Sequence, residues 1–374
     1  MKKKIILWVL SLVFLLALGQ QLYKLYFLWQ GDNFTDFKVY WDALKAAFAG
    51  GDIYSFNKVY FNTIPFNYPP TSLLFLTFLL IFPKALSSLF LVFVSLGCLL
   101  GTIYLTVKML FKKADRLMAF LIFSILFIQF FPVKFTLTLG QINLLILFLI
   151  TVSYYFFQNK KEILSGIFLG IATLIKIFPG FLIFFFIKEK KWKSVISFIV
   201  TLFSGLILTL LIFKLALIFN YFSNGGNLFL QGGVVSYFDQ SLNSFLLRFN
   251  FPSIWRLLLR IIFTLFSLGF FLKVKDKALS FFALIFSILI FFPSFAWFHH
   301  YVILIPLMMI LWARSKDIFS KVVLILIYLL VAFHFRYPEI FPNENPWLGS
   351  HPFFGTLLLW VFAVKRGLNK KIDY

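Results

Sequence analysis

A single cysteine, Cys98, sits inside an apolar run, so the chain offers neither a disulfide framework nor a thiolate metal site. Charge is also scarce: only 13% of the 374 residues are Asp, Glu, Lys or Arg, about half the share in a soluble globular protein. Acidic groups are the rarest, 13 against 35 Lys and Arg. No polar stretch is long enough to build a sizeable water-soluble domain. The chain is instead 61% hydrophobic, with 57 Phe and a mean hydropathy of +0.95. Apolar runs suited to a hydrocarbon core of about 30 Å recur from end to end. The expected fold is all-α, a polytopic membrane protein forming a single integral membrane domain over residues 1–374.

The formal charge of +22 does not mark a nucleic-acid binder, because Lys and Arg fall in short clusters between apolar runs rather than along one face. Such clusters mark the cytoplasmic side. They occur at residues 2–4, 108–116, 160–161, 188–193, 273–277, 314–321 and 365–371. Six excursions between seven clusters predict about twelve transmembrane helices with both termini cytoplasmic. The expected spans are 5–29, 86–110, 117–132, 141–157, 163–176, 178–188, 194–218, 253–273, 278–293, 300–313, 318–335 and 352–365. The opening "MKKKIILWVLSLVFLLALG" resembles a signal peptide but lacks a small-x-small cleavage site, and its hydrophobicity continues through Trp29. It is read as an uncleaved first span.

This topology puts residues 30–85, 219–252 and 336–351 in external loops. Asp32, Asp36, Asp42 and Asp52, four of the 13 acidic residues, crowd into the first loop. From Asp36, the residues Phe37, Trp41, Leu44 and Phe48 recur at helical spacing, with Gly50-Gly51 as a stop. The pattern predicts an amphipathic juxtamembrane helix lying on the membrane. The run "PPTSLLFLTFLLIFP", too short to cross, is expected to be a re-entrant or interfacial helix in the same loop. Asp36 also suits a simple helix-start role, Asp42 a solvated face and Asp52 a turn.

Most other polar interruptions of apolar sequence reach the same face. They are Lys134, Gln141 and Asn143 in "LGQIN", Lys176, the segment Asp239, Gln240, Ser241, Asn243 and Arg248, and the pair His299-His300. Each has a structural role open to it: Lys176 can snorkel, Gln141 can cap a helix, and His299 with Tyr301 can belong to an interfacial belt. Their common side favours a site, since charge at membrane depth is costly unless it meets a cavity or partner.

Six segments in series carry a resemblance: "DFKVYWDALKAAFAGGDIY", "PFNYPPTSLLF", "LGQINLLILFL", "LIKIFPGFLIFFFIKEKKWK", "DQSLNSFLLRF" and "PSFAWFHHYVILIPL". In order and content the chain resembles glycosyltransferase family 87, a C-type (GT-C-like) group using polyprenyl-phosphate sugars. The resemblance implies a hexosyltransferase, mannose being the expected sugar, with its site on the extracytoplasmic face of a bacterial plasma membrane. It implies Asp36 as catalytic general base, a polyprenyl-phosphate sugar donor, and a lipid or glycan acceptor. It also implies a histidine near the reaction centre, His299 or His300. At Asp239 the family pattern suggests Asn.

The chemistry suits these residues. A lipid phosphate leaves as a stable anion, so one base suffices, whereas glycoside hydrolysis needs two carboxyls. Lys176 and Arg248 are the candidates for holding the donor phosphate. Tyr40, Tyr68 and Trp297 are expected to stack on sugars, with Gln141, Asn143, Asp239 and Gln240 completing the substrate contacts. No Asp-x-Asp pair and no His/Glu cluster at metal spacing appears on the outer side, so a metal is not implied, although Asp36 with Asp239 could still share one, and no other cofactor is expected. A multi-span transporter or flippase of a lipid-linked or polar substrate is the competing reading, and a non-catalytic scaffold a third. Ionisable groups gathered at one surface, with no halving of the sequence, favour the enzyme.

Overall fold

The computed structural model describes residues 2–54, 66–225, 235–335 and 345–368. Parts of the three expected external loops, residues 55–65, 226–234 and 336–344, and the basic pair Lys370 and Lys371 lie outside the described residues.

The described chain is helical throughout. Its α-helices are α1 (Lys2–Gln30), α2 (Thr35–Phe48), α3 (Ser72–Leu76), α4 (Lys84–Leu110), α5 (Arg116–Ile128), α6 (Phe131–Leu139), α7 (Asn143–Gln158), α8 (Glu162–Ile175) and α9 (Ile183–Lys188). After these come α10 (Trp192–Ile212), α11 (Leu215–Asn220), α12 (Leu242–Arg248), α13 (Ser253–Phe271), α14 (Lys277–Phe291), α15 (Leu304–Arg314), α16 (Ile318–Ala332) and α17 (His351–Leu368). Most of the expected spans coincide with a helix to within a few residues, but 178–188 is a 3₁₀ turn followed by the six-residue α9, and 194–218 is broken at Phe213 and Lys214 between α10 and α11. Length separates them. Among the described residues, 5 helices are long and apolar enough to cross a membrane: Lys3–Gln30, Lys84–Leu110, Trp192–Ile212, Ser253–Phe271 and Leu348–Leu368. A sixth arises if Lys113–Ile128 and Phe131–Leu139, bent by 63°, make one span. The remaining apolar helices have 10–17 residues, which at 1.5 Å per residue gives at most about 25 Å.

Six helix ends share one device. All six residues with positive φ among those described, Asp32, Gly50, Gly140, Lys160, Lys190 and Asn250, follow a helix C-terminus. In each, the residue's N–H bonds three residues back and the next N–H bonds five residues back, as Gly140 N to Leu137 O and Gln141 N to Thr136 O. This pair of bonds satisfies carbonyls that the helix leaves open.

The chain divides into two compact units: a first of residues 1–23, 100–135 and 232–374, and a second of residues 24–99 and 136–231. Within the second, α8 lies against α10 at very short range. A Cβ on Gly166 would stand 2.1 Å from the Ser194 carbonyl, and one on Gly170 would stand 2.7 Å from Thr201 Cβ. Small residues four apart let two backbones approach in this way, as in membrane helix pairs. Ser153 and Ser165 exchange hydroxyl-to-carbonyl bonds of 2.8 and 2.9 Å between α7 and α8. Within the first unit, α14 is buried on every side from Ala278 to Phe291, the pattern of a central helix rather than an amphipathic one.

In the second unit α2 also departs from a helix resting on a surface. It buries Phe37, Val39, Tyr40, Trp41, Ala43, Leu44, Ala46 and Ala47, while Phe48 of the expected apolar stripe is 52% exposed. Protein therefore covers α2 on more than one face. The α3 helix and the 3₁₀ turn Thr77–Ile81 that follows it replace the expected single interfacial helix, and Thr71 Oγ1 donates to Leu174 O at 2.6 Å beside α8.

Candidate functional site

Asp36 stands in the first turn of α2 and faces the α6–α7 junction. The approach depends on Gly140. Its φ of +69° closes α6, and a Cβ there would lie 2.9 Å from Phe37 Cβ. This close passage lets Gln141 Nε2 donate to Asp36 Oδ2 across 105 residues of sequence. The same amide accepts at Oε1 from Tyr40 Oη at 2.6 Å and Tyr68 Oη at 2.9 Å. The two phenols lie 2.9 Å apart, and Tyr54 Oη donates to Tyr68 O at 2.8 Å. With phenols on its oxygen, the Gln141 amide presents its N–H to the carboxylate.

Lys176 completes the group. It occupies an extended residue between α8 and the 3₁₀ turn Phe178–Leu182, where Pro179 prevents the helix from running on. Its Nζ donates to Asn143 Oδ1 at 2.9 Å and stands 5.3 Å from the Tyr68 ring centre. The structure thus brings together six of the expected residues, Asp36, Tyr40, Tyr68, Gln141, Asn143 and Lys176, within one unit. Tyr54 and Gly140 were not singled out in the sequence. Gly140 was within view, as a glycine ending an apolar helical run.

Asp36 is part-buried, and desolvation raises its carboxyl from 3.8 to about 6, opposed by the Gln141 hydrogen bond and the Lys176 charge. Burial likewise pushes the Tyr40 and Tyr68 phenols up, so they remain neutral donors. Oδ1 of Asp36 accepts no hydrogen bond among the described residues. The group therefore holds a carboxylate by one oxygen, leaves the other open, and tunes it to ionise near neutrality. That is the disposition of a general base.

The other expected residues fall in the first unit and form a tighter construction. Asp239 and Trp297 make an isolated antiparallel bridge, with Gln240 N to Ala296 O at 2.9 Å and Phe298 N to Phe238 O at 3.0 Å. Asp239 Oδ1 accepts from the backbone N–H of Ser241 at 3.0 Å and of Ala296 at 2.8 Å. Burial raises its carboxyl to about 6 despite these bonds and the Arg248 charge. Arg248, at the end of α12, gives Nη1 to Ser350 Oγ at 2.8 Å and Gln240 Oε1 at 3.4 Å, and Nη2 to Ser236 O at 2.7 Å and to Asp239 O. Its outward-facing fork is thus occupied by protein acceptors, and only 6% of the residue is exposed. Gln240 is tied to Tyr237 O and Gly349 O at 2.6 and 2.9 Å.

His300 Nδ1 accepts from Trp297 N at 3.1 Å, and His299 stacks on Phe135 with centroids 6.0 Å apart. Both are buried, while Trp297 is half-buried. Asp52 plays the expected turn role, accepting from Tyr54 N at 2.9 Å. Among the described residues no three His, Cys, Asp or Glu side chains gather to hold a metal.

Five helices long and apolar enough to cross a membrane, in a chain that also carries a polar, carboxylate-centred group, define the class: a multi-helix membrane protein. The model of glycosyltransferase family 87 matches residues 66–331, more than two thirds of the chain, and the chain belongs to that family. It is a membrane glycosyltransferase. The match begins at Phe66, so Tyr68, Gln141, Asn143 and Lys176 lie inside it while α2 with Asp36 and Tyr40 precedes it. No curated protein matches the chain.

Proposed function

We propose that the enzyme transfers a hexose, mannose being the first to test, from a polyprenyl-phosphate donor to a lipid or glycan acceptor on the extracytoplasmic face. Asp36 is the general base. The observation that carries this reading is a part-buried carboxylate with Oδ1 open, raised to about 6, among two phenols, an amide and a lysine. The acceptor O–H gives its proton to Asp36 Oδ1 as its oxygen bonds to the sugar's anomeric carbon. The bond from that carbon to phosphate breaks, and the electron pair leaves on the lipid phosphate. Lys176 meets the charge that develops there. Burial of both phenols keeps their O–H groups as donors to Gln141 Oε1 and as walls for a sugar ring. Because the leaving group is already a stable anion, no second carboxyl is needed to protonate it.

The test is to incubate purified enzyme with labelled polyprenyl-phosphate mannose and a membrane lipid extract, and to identify the products. A labelled glycoconjugate supports transfer, and Lys176→Ala should weaken donor use first. Label that only changes sides of a sealed vesicle, still attached to its polyprenyl phosphate, supports a flippase instead. Labelling of cysteines placed at 36 and 176 by a membrane-impermeant reagent checks the face: reaction from opposite sides removes the site.

A further inference from the structure

A cleft away from the Asp36 group opens at the other end of α2, inside the second unit. Its volume of about 190 Å³ would hold about six waters at about 30 Å³ each, room for a compact polar headgroup. One wall is the end of α2 with the Gly50-Gly51-Asp52 turn, and the other is the junction of α10 and α11. That junction is extended at Phe213 and Lys214, so α10 stops there and Lys214 reaches the cleft. Gly50 leaves room for it: a Cβ there would stand 2.9 Å from Lys214 Nζ.

Three polar side chains line the cleft, and each has bonding capacity left over. Lys214 Nζ and the Asn220 amide make no hydrogen bond or ion pair among the described residues. Asp52 Oδ1 accepts from Tyr54 N at 2.9 Å, and its Oδ2 accepts nothing among the described residues. Lys214 and Asp52 therefore share one cleft without pairing with each other. A lysine at the end of a span ordinarily snorkels to water, but this one has a carboxylate across the same opening. A bare anion drawn to Lys214 meets repulsion from Asp52, and a bare cation drawn to Asp52 meets it from Lys214. A ligand carrying both charges satisfies both.

The cation that fits is a primary ammonium. Its N–H groups suit the open carboxylate oxygen, whereas a quaternary ammonium needs open aromatic faces. Phe213, the aromatic residue of the cleft, is only 5% exposed and packs on Phe48 with centroids 5.2 Å apart. An apolar part also has its place. The α10 helix is among those long and apolar enough to cross a membrane, and Ile207, Leu208, Leu211 and Ile212, in its last turns before the cleft, are each at least 50% exposed.

We infer that this cleft binds the headgroup of a zwitterionic bilayer lipid, an ethanolamine phosphate ester whose phosphate meets Lys214 and Asn220 and whose ammonium meets Asp52, with its apolar chains along the exposed flank of α10. The inference concerns binding alone and does not depend on Asp36 acting as a base.

The test measures lipid binding to the whole protein in detergent by native mass spectrometry, using phosphatidylethanolamine, phosphatidylcholine, phosphatidylglycerol and diacylglycerol with the same chains. The wild type is expected to hold one phosphatidylethanolamine at least about tenfold more tightly than any of the others. Lys214→Gln should lose that preference. Asp52→Asn keeps an acceptor for Tyr54 N and removes the charge, so the preference should pass to phosphatidylglycerol. A wild type that binds phosphatidylcholine, phosphatidylglycerol or diacylglycerol as tightly as phosphatidylethanolamine overturns the proposal. So does an unchanged preference in both variants, or saturation by chain-free phosphoethanolamine at the same concentration. If either variant fails to fold, a photoactivatable phosphatidylethanolamine on the wild type decides: label on residues 47–52 or 213–220 upholds the site, and label confined elsewhere removes it. Lipid binding without any sugar transfer would leave this site standing while the proposed function failed.

Discussion

Each unit of the molecule buries a carboxylate that burial raises to about 6, and the two are held by different means. Asp239 is clasped by backbone: two N–H groups on Oδ1, a bridge to the 296–298 segment, and an arginine whose fork is filled by protein oxygens. Backbone donors cannot turn away without unpicking the fold. Asp36 is held by side chains, with one oxygen on the Gln141 amide and the other open. Each carboxylate leaves its second oxygen unbonded, so the difference lies in burial and in what fixes the first. Fully buried Asp239, clasped by backbone, organises a loop, whereas part-buried Asp36, leaning on a side-chain amide, retains room to take and release a proton.

The sharpest way to break this comparison is to disable both acids. Asp36→Asn keeps a group that Gln141 can bond while removing the base, so transfer should fall by about 10²–10⁴-fold without any fall in thermal midpoint. Asp239→Ala should do the reverse. It strands the Ser241 and Ala296 N–H groups and leaves Arg248 without its counter-charge, a loss of about 3–5 kcal/mol readable by thermal unfolding in detergent. Enzyme that still folds should retain turnover. If Asp239→Ala abolished turnover in a folded protein and Asp36→Asn did not, the two roles would be exchanged.

A smaller effect tests how α2 is positioned. Gly140→Ala forces a left-handed residue at about 1–2 kcal/mol and drives its Cβ against Phe37, so stability and activity should fall together. Gly50→Ala, also at positive φ, meets only the flexible end of Lys214 and lies at the other end of α2. It should cost stability while sparing activity. Equal activity losses in the two would mean that the Asp36–Gln141 contact is not what Gly140 protects.

Much of the second-unit site was legible in the sequence because its members interrupt apolar runs: Gln141 and Asn143 after a glycine, Lys176 before a proline, and Asp36 where a helical stripe begins. Hydropathy missed the breaks at Pro179 and at Phe213 but located most expected spans as helices, since burial in lipid and burial in protein demand the same apolar residues. For that reason it does not separate long spans from short core helices such as α14. The partners were not legible. Nothing near Arg248 announces that Ser236 and Ser350 will fill its fork, because those contacts follow from loops closing over 12 and 102 residues.

The smallest effect is a shift in pH dependence, and it separates the acids most directly. A base must be ionised to act, so transfer should rise with pH through about 6 if Asp36 controls it. Gln141→Leu removes the hydrogen bond that favours the ionised form, so the acid limb should move upward while Lys176 still opposes the shift. Stability should show the opposite sign. Between 3.8 and about 6 the folded carboxyl binds a proton that the unfolded one has released, so stability falls as pH rises across that window. Asp36→Asn should remove the Asp36 share of this slope and leave the Asp239 share, which has the same sign and window. An acid limb unmoved by Gln141→Leu, in an enzyme that still turns over, would mean that the titrating base is not the carboxylate Gln141 holds.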